Sequence, residues 1–189
     1  FLYPSGGMSA LVDYFLTGLE VAGIHIQYDT QLTADDLKDW PGTVLFSGHL
    51  SALAPDHGLS HRGLYLIHIA VPSGAIGPTD TFYLPEADYW FGRVSQPARF
   101  SEELRDPSVD VLCVEIPEGR WGPDVDFLSE RDTIEAQLKH AGILSPDLGI
   151  QEIQQTFVPR VYPMYTRGWL DRWRAALDEA SSLGQIFPI

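Results

Sequence analysis

The chain has 189 residues and a mass of 21.0 kDa, enough for a medium domain with a substantial apolar core. Its 44% hydrophobic and 12% aromatic content excludes a disordered polymer. A formal charge of −14 leaves little to neutralise phosphates, which argues against nucleic acid as a partner and makes the acidic surface a solubility feature.

The chain begins at Phe1 with no initiator Met and soon reaches "YPSGGMSALVDYF". Pro4 and the pair Gly6-Gly7 precede a helix in which Leu11, Phe15, Leu19 and Ala22 recur at helical spacing, with Gly23 as its stop. Such a glycine pair permits close backbone approach, or simply forms a turn. "IHIQY" follows as a short apolar strand. Thr33 serves as N-cap of a short turn that Pro41-Gly42 ends, and "TVLFSG" gives a second strand. Helix, strand, connection and strand indicate a piece of a parallel layer covered on both faces.

After residue 60 the character changes. "GLYLIHIAVP", "TFYLP", "YWFGRVS", "VDVLCVEI" and "IQEIQQTFVPRV" alternate or are rich in β-branched and aromatic residues, as in a largely antiparallel sheet. A helix within "DFLSERDTIEAQLKHAG" sets Leu128, Ile134 and Leu138 on its apolar side. A last helix groups Leu170, Trp173, Ala176 and Leu177, and "QIFPI" begins one more strand. Both ends read as cut from something longer. The expected fold class is α+β: a mostly antiparallel sheet flanked by helices over 61–189, joined to a small α/β portion over 1–60.

Common catalytic signatures are missing from the sequence. No GxSxG or HExxH occurs, and Ser47 and His49 stand two apart at a strand end. His57 and His61 are four apart but flank a glycine, which favours exposed loop histidines over a zinc face. Asp124 and Asp126 read as helix-entry carboxylates. Without a Walker loop or GxGxxG the chain lacks a common phosphate cradle, and no metal site or catalytic residue is assigned. Cys113 lies in a strand-like run and is expected to be a buried thiol. A single cysteine excludes an internal disulfide and, with no signal peptide and no apolar run near the roughly 20 residues of a membrane span, favours a cytoplasmic location.

Two stretches could carry binding chemistry. In "YWFGRVSQPARFS", alternation places Tyr89, Phe91 and Arg93 on one face and Trp90, Gly92 and Val94 on the other. Arg93 then stacks, reaches for an anion, or pairs with one of the many acids. In "VPRVYPMYTRGW", Tyr162 and Tyr165 stand near Pro159 and Pro163, as pocket walls or as ordinary packing.

The order of these stretches resembles the central part of FAD-dependent flavoproteins of the amine oxidase, protoporphyrinogen oxidase and phytoene desaturase superfamily. "YPSGGMSALVDYF" is similar to the phrase leading into the second half of their FAD domain. "GTVLFSGHLSAL" and "LSHRGLYLIHIAV" resemble the return strand and the crossover into the substrate domain. "YWFGRVSQPARFS" resembles the strand of UDP-galactopyranose mutase whose arginine lies beside the substrate diphosphate. Gly48-His49 departs from the mutase Gly-Pro-Ile-Asp.

This resemblance implies that residues 1–60 are a remnant of an FAD-binding domain and 61–189 a substrate-binding domain. Gly6, Gly7 and Met8 would face FAD or its substrate, while Arg93, Tyr162 and Tyr165 would line the site for a small molecule. The rest of the FAD domain would be the partner. Three functions follow: part of an FAD-dependent oxidoreductase inactive in isolation, part of a mutase-like flavoenzyme, or a binding module that has lost its cofactor.

Overall fold

The alternation of "HRGLYLIHIAVP" is realised as an inner strand of a five-stranded sheet. The computed structural model describes residues 3–38, 40–119, 121 and 124–188. In chain order the elements are α1 (Gly7–Val21), α2 (Ala34–Lys38), β1 (Val44–Phe46), β2 (His61–Pro72), β3 (Thr81–Tyr83), β4 (Arg93–Ser95), β5 (Val109–Pro117), α3 (Arg131–His140), β6 (Glu152–Pro163), α4 (Trp169–Ser182) and β7 (Ile186–Pro188). The architecture is α+β. No helix among the described residues is long and apolar enough to cross a membrane.

The chain forms two compact units, one of Phe1–His25 with Gly63–Val161 and the other of Ile26–Arg62 with Tyr162–Ile189. In the first, the sheet order is β3-β4-β5-β2-β6, with β2/β5, β4/β5 and β3/β4 antiparallel. Tyr65, Ile67, Ile69 and Val71 of β2 alternate into the core, as do Leu112, Val114 and Ile116 of β5. Ile134 and Leu138 of α3 and the ring of Phe127 join the same cluster. Gly63 is a close-approach glycine, since a Cβ there would meet Phe157 Cζ at 2.5 Å and Glu118 Oε2 at 2.8 Å. Gly142 adopts φ +69 and closes α3.

Three sequence expectations are altered. Residues 24–28, read as a strand, form none, because no strand edge among the described residues pairs with them. "TVLFSG" does form a parallel strand, but its partner is β7, near the other end of the chain. Finally, β4 is only three residues long. Phe91 lies two residues before it, outside the strand, so strand alternation does not reach it. Phe91 is buried while Arg93 points outward.

The second unit is built on β1 and β7 in parallel register Val44↔Ile186 to Phe46↔Pro188. Leu37, Leu53, Ala180 and Ile186 form its small core. Thr33 caps α2 as expected: its Oγ1 accepts from Asp36 N–H at 3.3 Å, and Asp36 Oδ2 accepts from Thr33 N–H at 2.8 Å.

Candidate functional site

A parallel strand pair exposes backbone and side chains at its carboxyl end, a recurrent place for ligands in sheets of this kind. Beyond Phe46 and Pro188, within the second unit, lies a cavity of about 420 Å³. Gly48 contributes to it, and a Cβ there would stand 2.7 Å from Phe46 Cζ, so a larger residue would have to displace that ring. Helix α4 contributes Trp169, Arg172 and Trp173. Their spacing of three and four puts them on one helical face. Tyr165 packs on Trp169 with ring centroids 4.7 Å apart, and His49 meets His61 edge-on at 4.5 Å.

Arg172 is held in place by the turn before its own helix. Its Nη1 donates to Arg167 O at 3.0 Å and its Nη2 to Thr166 Oγ1 at 2.6 Å. Its Nε is buried with no acceptor among the described residues. The cavity therefore combines ring faces with a fixed guanidinium, an arrangement able to hold a flat ligand and orient it by charge.

The first unit offers a different surface. One face of its sheet is packed, while on the other Leu66, His68, Ala70 and Cys113 are only partly buried. Arg93 and Glu115 lie opposite each other on this face across β4 and β5. Arg93 Nε donates to Glu115 Oε1 at 2.8 Å, and Nη2 forms an ion pair with the same oxygen. Burial pushes the Cys113 thiol up to about 11, the Glu115 charge adds to the rise, and Arg93 offsets part of it. The thiol stays protonated at neutral pH and is no nucleophile there.

The site residues expected from sequence are distributed as follows. Gly6 (φ +72) and Gly7 (φ +81) open α1 in left-handed backbone, and a Cβ on Gly7 would rest 3.5 Å from Leu104. Met8 is exposed. Arg93 is half-exposed and paired with Glu115. Tyr165 lines the cavity; Tyr162 is exposed and does not. His57 bonds Glu179 at 2.7 Å, and no group of three metal-ligating side chains occurs among the described residues. Asp126 accepts from Leu128 N–H in a turn rather than at the entry to α3. Sequence reasoning overlooked Arg172 and Trp169, although the spacing W-x-x-R-W in an evident helix was a signal available to find them.

No protein-family model and no curated protein sequence matches the chain. Its fold is shared with enzymes of known structure. One is reduced UDP-galactopyranose mutase, with TM-score 0.61 and 19% identity over 86% of this chain and 35% of that one. Another is a candidate protoporphyrinogen oxidase from Exiguobacterium sp. 255-15, with TM-score 0.55 and 16% identity over 77% of this chain and 35% of that one. The chain thus spans about a third of the length of either structure, and at these identities the likeness is one of fold.

Proposed function

We propose that these residues are the substrate-binding portion, with a small part of the FAD-binding domain, of a longer FAD-dependent oxidoreductase related to amine and protoporphyrinogen oxidases. The observation that carries this reading is the fold likeness to two flavoenzymes, each nearly three times longer than the part matched. The half-open sheet face around His68 and Cys113 supports it, as a wall that further chain would roof.

The residues present do not fit the whole of FAD. The sequence has no GxGxxG, and the left-handed backbone of Gly6 and Gly7 serves the entry to α1. The cofactor is therefore assigned to the longer protein, in which the flavin would supply hydride chemistry and this portion would orient substrate and exclude water. Gly6, Gly7, Met8 and Arg93 of the first unit, and separately Tyr162 and Tyr165 of the second, are the residues proposed to face ligand in the longer protein. Alone, the chain is expected to be inactive and cytoplasmic.

The test is to purify a longer protein containing these residues, denature it and identify released flavin by chromatography. Close to one equivalent of FAD is expected; a folded longer protein without flavin overturns the reading. The wider overlap with the mutase favours a second reading, action on a nucleotide sugar. It requires Arg93 to exchange Glu115 for a diphosphate, so Arg93→Ala in the longer protein should weaken UDP binding about tenfold or more. Unchanged UDP affinity rejects it.

A further inference from the structure

The cavity of the second unit contains a positive charge that no acidic side chain among the described residues compensates. Arg172 makes no ion pair among the described residues, although the chain has 26 acidic side chains against 12 basic ones. Guanidinium carries five N–H donors. Two are used, by Arg167 O and Thr166 Oγ1, and the Nε donor has no acceptor among the described residues. Among the described residues no aspartate or glutamate lines the cavity, whereas His49 and His61 do. Leaving a partly buried cation unmatched costs free energy, and in so acidic a chain a carboxylate would have been easy to supply.

The remaining wall is aromatic. Tyr165, Trp169 and Trp173 present rings to a volume of about 420 Å³, which suits a ligand of one or two rings. Because its two Nη bonds fix Arg172 against the turn at 166–167, little side-chain entropy is lost when an anion meets it. We propose that this cavity binds a planar aromatic carboxylate, its ring against Trp169 and Trp173 and its carboxylate on Arg172. This site uses only the second unit and stands independently of whether a longer protein carries flavin.

The experiment is a calorimetric titration of the 189-residue chain with indole-3-carboxylate and with its neutral counterpart, indole-3-carboxamide. The carboxylate is expected to bind at least about tenfold more tightly than the amide. Arg172→Met should erase that preference and leave amide binding unchanged. Leu177→Trp, which fills the cavity, should abolish binding of both, with circular dichroism confirming that each variant is folded. Should Arg172→Met fail to fold, the wild-type preference and Leu177→Trp decide the matter. Equal affinity for acid and amide, no binding of either, or carboxylate binding that survives Leu177→Trp would overturn the proposal.

Discussion

Helices α1 and α3 belong to the same unit and are both amphipathic, yet they meet opposite fates. Ile134 and Leu138 of α3 are fully buried against the sheet, and Glu135 fastens the helix to the following loop by accepting from Ile150 N–H at 2.8 Å. On α1 only Gly7 is buried, while Val12, Tyr14 and Phe15 are 53%, 74% and 59% exposed. It is tied down at its start, where buried Gly7 donates its N–H to Pro4 O at 3.1 Å and Tyr3 packs on Phe100 with ring centroids 5.4 Å apart. Periodicity specifies that a helix forms and which side is apolar. It does not specify what covers that side. A 15-residue helix without tertiary cover is marginal in water, so α1 draws little support from the described residues.

Substitutions can break this contrast. Ile134→Ala should lose about 2–5 kcal/mol in urea denaturation, because it opens a cavity in the closed core. Phe15→Ser on α1 should stay within about 0.5 kcal/mol, as for an ordinary surface change. Equal losses would mean that α1 is packed after all. Next in size, Gly63→Ala should cost about 1–3 kcal/mol, since its methyl group must displace Phe157 or Glu118.

A further effect, of about the same size as that at Gly63 or less, concerns the clasp of α3. The Lys139 hydrogen bond, followed by that of Ile150 N–H, holds the Glu135 carboxyl below its ordinary range, against the opposing effect of burial. Its folded value lies below its unfolded one, so the stabilisation is complete above the ordinary carboxylate range and disappears as pH falls through the folded value. Glu135→Gln should therefore cost about 1–2 kcal/mol at neutral pH. That deficit should shrink in acid, as melting curves across pH would show; a deficit independent of pH would assign the loss to geometry alone.

Much of the fold was legible in the residues. The period of two in β2 and β5, the Thr33 cap and the stop at Gly142 are local signals, and each is realised. Non-local pairing was not legible. "IHIQY" has strand chemistry but no edge to join, and β1 found its partner some 140 positions away in β7 (Val44 and Ile186). The candidate site was harder still. Arg93 was noticeable by its aromatic neighbours, yet its paired carboxylate is visible only once β4 and β5 are in register. Arg172 was hidden among residues read as packing, because a helical face does not reveal whether it borders core or cavity.

Hydrogen exchange along α1 tests most directly the claim that these residues are part of a larger flavoenzyme. Measured in this chain and in a longer protein containing it, the amides of residues 11–21 should exchange at least about tenfold more slowly in the longer protein, while the centres of β2 and β5 change little. Identical exchange of α1 in both would contradict the account.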